Sequence, residues 1–227
     1  MSREAGMEAA EVRAFLSGVF GCADDVAAEI AAAGRLIAVA PRAVILSQRD
    51  ATGAAFVLIL GRAQALLYGA DGQLVLLYEF GPGDLFGHLG PLDPAPDEAE
   101  VVAVDRVEMF TLRGAELVRF AERHSAIGIA LTRLLLKRLR RTTTRIYERA
   151  ALSANGRVFA ELLRLACDAP GGAMKPPPVV SELAVRASTT RETASRAISM
   201  LERRGIVIRE PGVLKLVAPH RLEELIL

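Results

Sequence analysis

Four polar residues at helical spacing, Arg191, Glu192, Ser195 and Arg196, carry the most pointed chemistry in this 227-residue chain. Behind them Ala194, Ala197, Ile198 and Leu201 fall at i, i+3, i+4 and i+7 and make one apolar stripe. An arginine grips O6 and N7 of guanine, a glutamate accepts from N4 of cytosine, and a serine contacts several bases. A helix with that polar face, extended by Ser199, matches the major groove of DNA. Thr189 or Thr190 caps its start, and Thr189-x-x-Glu192 spells a capping box, which would take Glu192 away from a base. Gly205 stops the helix, and Arg203 and Arg204 in its last turn suit the dipole. A solvated amphipathic helix would show the same stripe, so the flanking elements decide.

Residues Ser181 to Arg204 read as two short helices joined by a tight turn. Ile206 to Arg209, the turn Glu210-Pro211-Gly212, and Val213 to Val217 then make a β-hairpin, so the unit is a winged helix-turn-helix. The run RETASR at 191–196 resembles the recognition helix of the CRP/FNR family of bacterial transcription regulators. That resemblance implies a cytoplasmic homodimer on double-stranded DNA, palindromic sites with TGA-core half-sites, and a contact with RNA polymerase. By the same resemblance Glu192 and Arg196 match the readers of the core G·C pair. The cyclic-AMP branch has an arginine at the position of Arg191 and prefers G there. The oxygen-sensing branch has a serine at the position of Ser195 and prefers T. This chain has both, and a bidentate arginine outweighs one hydroxyl, so GTGA is expected over TTGA.

Upstream, residues from about Glu11 to Ala32 read as short helices with Phe15, Leu16, Val19, Phe20, Val26 and Ile30 inward. From Arg35 short apolar runs alternate with Pro41, Gly53, Gly61, Asp71-Gly72 and Gly81-Pro82-Gly83, a pattern of strands and turns about ten residues apart. Asp71-Gly72 suits a hairpin. The stretches 55–62 and 81–87, the latter ending in Phe86-Gly87 before a short helix, look like the cyclic-nucleotide-binding β-roll. From about Ala115 through Ala151 the pattern is helical. Ile127, Leu131, Leu134 or Leu135, Leu139, Thr142, Ile146 and Ala150 approach a heptad seam. A core helix and a two-fold dimer helix both fit; the length and the family favour the dimer. Asn155-Gly156-Arg157 marks a hinge, Val158 to Ala166 a helix, and residues 168–178 a Gly/Pro loop. The expected fold class is α+β: residues 1–114 a jelly-roll-like β-roll with leading helices, 115–153 a long dimerisation helix, and 154–227 the winged helix-turn-helix.

In cyclic-AMP-binding relatives a Glu holds the ribose and an Arg followed by Ser or Thr holds the phosphate. The aligned stretch here puts His88 before Leu89 at the Glu position, Glu98 at the Arg position and Ala99 at the hydroxyl. A carboxylate facing a phosphate repels it, so cyclic AMP is not expected to bind in the family manner or to be required. Thr142 and Thr143 align with the hydroxyl pair that meets adenine; a relic and a plain helix surface both remain open. The oxygen-sensing branch holds an iron–sulfur cluster by cysteines, and two cysteines, Cys22 and Cys167, cannot supply its four usual ligands. Neither haem nor another metal is expected, and no catalytic residue pair is apparent.

Charge divides the chain. Residues 133–227 hold 18 of the 28 Lys and Arg but 9 of the 27 Asp and Glu, a balance of +9 against −8 for the rest. Clustered cations of this kind sit well on phosphates. The acidic N-terminus lacks an apolar core, and the longest apolar run, Ala54 to Leu60, is too short to span a bilayer, so no membrane partner is expected. The rival reading is a ligand- or haem-sensing or protein-interaction module whose winged helix no longer reads DNA.

Overall fold

A computed structural model describes residues 7–48, 53–68, 74–89, 92 and 99–226. The chain divides into two compact units, Met1–Leu67 with Leu77–Arg140, and Tyr68–Leu76 with Arg141–Leu227.

The first unit opens with α1 (Ala9–Phe20) and α2 (Asp24–Ala33). Glu8 and Glu11 close a reciprocal capping box at the start of α1, and Gly21 ends it in the left-handed conformation. Val12, Leu16, Phe20, Ala27 and Ile30 are buried, whereas the expected Phe15, Val19 and Val26 are half-buried at the edge of the same cluster. Eight strands follow: β1 (Arg35–Val39), β2 (Val44–Leu46), β3 (Ala54–Leu60), β4 (Ala63–Tyr68), β5 (Leu74–Phe80), β6 (Leu85–Gly87), β7 (Glu100–Ala103) and β8 (Val107–Arg113). They form two four-stranded sheets, ordered β1-β8-β3-β6 and β2-β7-β4-β5. The apolar run of β3 is buried at five successive positions because both its faces are covered. Phe56 and Leu58 join the cluster that includes Met109 and Phe80, while Ala55, Val57 and Ile59 face the cluster of α1 and α2.

Within the stretch 81–87, Leu85–Gly87 is a strand paired with β3. Gly87 has φ 88°, and a Cβ there would lie 2.4 Å from the Ala54 carbonyl oxygen, so only glycine fits. The short helix itself and the Asp71-Gly72 turn lie outside the described residues.

The single helix expected from 115 to 151 is two helices, α3 (Gly114–Arg123) and α4 (Ser125–Ala151), broken at His124, whose backbone is extended. At 27 residues α4 is about 40 Å long. Its Ile127, Ala130 and Leu131 are buried in the first unit's core. Ile129, Leu135, Leu136, Leu139, Ile146 and Tyr147 are exposed. The expected seam therefore merges two faces: Ile127 and Leu131 belong to the intrachain core, and Leu139 and Ile146 to the exposed side. Residues 129, 132, 136, 139, 143, 146 and 150 alternate three- and four-residue steps and trace the exposed heptad.

In the second unit α5 (Ala154–Cys167) is followed by β9 (Ala173–Met174), α6 (Val180–Arg186), α7 (Arg191–Arg203), β10 (Val207–Glu210), β11 (Val213–Leu216) and α8 (Pro219–Glu223). Asn155-Gly156-Arg157 is not a hinge between helices but the first turn of α5: the Ser153 hydroxyl accepts from the Gly156 amide at 3.0 Å and caps it. A Cβ on Gly156 would come within 3.1 Å of the Ile226 carbonyl oxygen. The hairpin β10–β11 turns through Pro211-Gly212, with Glu210 opposite Val213 and Gly212 at φ 73°. β9, from the Gly/Pro stretch 168–178, adds a third strand against β11. The core of this unit gathers Val158, Phe159, Leu162, Leu183, Ile198, Leu201, Leu214 and Leu222.

Candidate nucleic-acid interface

The apolar stripe of α7 packs as its spacing requires: Ala194, Ala197, Ile198 and Leu201 are all at most 2% exposed. Arg191, Glu192, Ser195 and Arg196 are exposed together on the other side, with Ser199 half-buried at its margin. Thr190, not Thr189, is the N-cap; its Oγ1 accepts from the Thr193 amide at 3.2 Å. Glu192 is thus the second helical residue and takes no part in the capping box that Thr189 would make. Its carboxyl is held below the ordinary glutamate value, first by its own backbone N–H, then by the Thr190 hydroxyl, with Arg191 and Arg196 adding to this. One hydroxyl serves both ends because it donates once and accepts twice. The far end closes as a Schellman motif, with Gly205 N–H on the Glu202 carbonyl and Ile206 N–H on that of Leu201, both at 3.0 Å.

Two neighbours frame α7. Arg209 of β10 binds Glu202 at 2.7 Å and ties the wing to the helix. A groove of about 540 Å³ runs beside it, lined by Ser153 and Asn155 at the start of α5 and by Thr193, Arg196, Met200 and Arg203 of α7. Exposed arginines beside a helix N-terminus suit phosphate. Sequence reasoning missed Ser153, Asn155 and Arg203 here, because only folding brings the start of α5 alongside α7.

The turn between α6 and α7 is held from several sides. The Arg157 guanidinium donates to the carbonyls of Ala187, Leu152 and Ser188 at 2.8, 3.0 and 3.1 Å. Arg149 donates to Ser188 Oγ at 2.8 Å. Ser188 has φ 48°, a left-handed conformation costing a non-glycine residue about 1–2 kcal/mol.

The positions expected to meet a nucleotide fall in both units. His88 is buried, with its amide on the Ala54 carbonyl at 2.9 Å. Ala99 packs at the edge of the β-roll core, and Thr142 and Thr143 are exposed on α4. Glu98 lies outside the described residues. Leu89 does line a cavity, together with Tyr78, Asp84, Leu131, Leu134 and Arg138, but its volume is about 30 Å³, room for roughly one water. The Arg138 guanidinium lies 5.1 Å above the Tyr78 ring and 5.4 Å above that of Phe80. Phe80 stacks on Phe86 at 4.6 Å, and Phe86 on Phe56 at 5.3 Å. Buried Asp84 accepts from the Gly81 amide at 3.0 Å and from Lys137 at 3.2 Å. Among the described residues no cluster of His, Cys, Asp and Glu would hold a metal ion, and no helix is long and apolar enough to cross a membrane.

Comparison with known proteins gives this geometry its context. Residues 36–124 match the cyclic nucleotide-binding domain and 156–225 the Crp-like helix-turn-helix domain. Over 185 residues the chain is 30% identical to the cyclic AMP receptor protein of Thermus thermophilus, covering 80% of this chain and 83% of that protein. The chain belongs to the CRP/FNR family. A second CRP/FNR relative, the CRP-like cAMP-activated global transcriptional regulator of Mycobacterium tuberculosis, is 28% identical over 155 residues, 66% of this chain and 69% of that one. In fold the chain is similar to a CooA variant from Carboxydothermus hydrogenoformans, with a TM-score of 0.76 at 18% identity, covering 93% of this chain and 95% of that one. The protein is thus a CRP/FNR-type transcription regulator with a helix-turn-helix DNA-binding domain.

Proposed function

We propose that this regulator works in the cytoplasm as a homodimer, reads a palindrome of GTGA-type half-sites about one helical turn apart, and does so without cyclic AMP. The observation that carries the DNA reading is the joint exposure of Arg191, Glu192, Ser195 and Arg196 over a fully packed stripe. Arg191 reads the outer guanine, Glu192 and Arg196 the core G·C pair, and Ser195 adds a less selective contact. The Glu192 backbone N–H and then the Thr190 hydroxyl hold the Glu192 carboxylate, and Thr189 precedes the cap. The groove along Arg196 and Arg203 takes backbone phosphates. A second copy of the chain covers the exposed seam of α4, whose Leu136, Leu139 and Ile146 would otherwise face water. The palindrome follows from that two-fold symmetry, and RNA polymerase is the partner that converts binding into output.

Several features support the absence of cyclic AMP in the family manner. A cavity of about 30 Å³ is a tenth of the ~300 Å³ at which small-molecule sites begin. Arg138 stacks on the rings beside it, His88 is packed away, and Ala99 offers no hydroxyl. The protein uses no haem, metal or iron–sulfur cluster in this reading, and Thr142 and Thr143 are plain helix surface.

Selection of bound DNA from a random pool, with and without cell extract, tests the proposal. Inverted GTGA-type half-sites should be enriched by the purified protein alone. Enrichment of no sequence would overturn the DNA reading, and enrichment only with cyclic AMP would overturn the ligand-free part.

A further inference from the structure

Glu161 is the most buried acidic side chain among the described residues, at 2% exposure in the middle of α5. Its Oε1 accepts from Arg186 at 3.1 Å and its Oε2 from Arg164. Arg186 is the last residue of α6, and its side chain is 8% exposed. Arg164 also reaches Glu148 in the last turns of α4. One residue further on, the turn into α7 meets Arg157 of α5 and Arg149 of α4. The charges therefore join α4, α5, the end of α6 and the turn that follows it, at the point from which α7 departs.

We propose that the buried Glu161–Arg186 pair, with Arg157 and Arg149 at the adjoining turn, sets the aim of α7 and is a positioning device for DNA recognition. The inference rests on the DNA reading above. The physical case is one of geometry over stability. Desolvating two charges offsets most of their attraction, so an apolar pair of similar volume holds a core equally well or better. What an apolar pair lacks is direction. Two carboxylate oxygens, each engaged by a different guanidinium, fix the relative placement of α5 and α6 in a way that sliding methylenes do not. The turn needs that constraint, because Ser188 sits in a conformation disfavoured for its side chain and is held there by arginines on both its carbonyl and its hydroxyl. A base-reading arginine tolerates little misplacement, so a small rotation of α7 costs specificity while leaving phosphate attraction intact.

The test begins with the duplex that the wild type selects from a random pool, and compares its affinity with that of a scrambled duplex. Glu161→Leu combined with Arg186→Met should melt no lower than wild type. It should bind the scrambled duplex equally well and lose ten-fold or more of the preference for the selected one. An unchanged preference would show that the pair only packs and would overturn the inference. If the double variant does not fold, Arg149→Ala decides. Arg149 is exposed, and its removal should lower the preference three-fold or more at an unchanged melting point, with no change as the refuting result. A wild type that enriches no duplex overturns the DNA reading and this inference with it, an outcome distinct from a wild type that selects and variants that match it.

Discussion

Arg191→Ala tests the proposed base contact at little structural cost. Arg191 is the first residue of α7, exposed, and its cation sits at the positive end of the helix dipole. Removing it should leave the melting point unchanged or raise it slightly, since a charge misplaced at a helix N-terminus costs roughly 0.3–1 kcal/mol. A bidentate arginine–guanine pair discriminates by about 1–3 kcal/mol. A symmetric dimer makes the contact twice, so a full palindrome doubles the figure to about 2–6 kcal/mol. That corresponds to a loss of about thirty-fold or more at the GTGA palindrome, and to no loss at TTGA. The assay is fluorescence anisotropy on the two duplexes at several salt concentrations. Salt separates the alternatives: a phosphate contact would shallow the log–log slope by about 0.9 per arginine on both duplexes alike, whereas a base contact removes preference. Equal binding of GTGA and TTGA by the wild type would refute the assignment, leaving Arg191 a phosphate or solvent residue.

Thr190→Ala should cost about 1 kcal/mol in thermal melting through loss of the cap, and Thr189→Ala clearly less. The Glu192 carboxylate is held below its ordinary value; its contribution is therefore present above the unfolded pKa and lost only as pH falls through the lowered folded value, so Glu192→Gln should lower the melting point at pH 7 and not at strongly acid pH. Leu139→Glu should turn a dimer into a monomer in sedimentation at micromolar concentration while the circular dichroism spectrum stays helical; a variant that remains dimeric would remove α4 from the interface. Calorimetry should register no micromolar binding of cyclic AMP, and His88→Glu with Glu98→Arg should create some.

How much of this could be read from the sequence depended on distance along the chain. The recognition helix was legible because period, cap and stop all lie within sixteen residues, and Ala194, Ala197, Ile198 and Leu201 pack as the period dictates. Its cap was ambiguous only because two threonines are adjacent. Asn155-Gly156 has turn chemistry yet lies inside a helix, since Ser153 caps one step earlier and the glycine is needed for close approach to Ile226. β9 was invisible because a two-residue strand has no period of its own. The Glu161–Arg186 pair was invisible too: 25 residues separate its members, and no local pattern marks either. The same holds for Arg138 and Tyr78, which only the packing of α4 on the β-roll brings together.

The misread seam of α4 has a physical cause that bears on function. Ile127, Leu131, Leu134 and Arg138 advance eleven residues in three turns and stay on the β-roll. Ile129, Leu136, Thr143 and Ala150 advance seven in two turns, and two residues of offset place them on the opposite face. A single periodicity drawn through both must switch faces, and it does so near Leu134 and Leu135. The inner stripe ends at Arg138, where the guanidinium covers the aromatic rings, while the outer seam continues for three more turns. Leu139, Ile146 and Tyr147 face water at more than 60% exposure. Burying each fully would contribute about 1.5–3 kcal/mol. A helix that packs inward only over its first half and stays apolar outward along its length presents two surfaces, one taken by the β-roll of its own chain and the other the one assigned to a second copy in the proposed dimer.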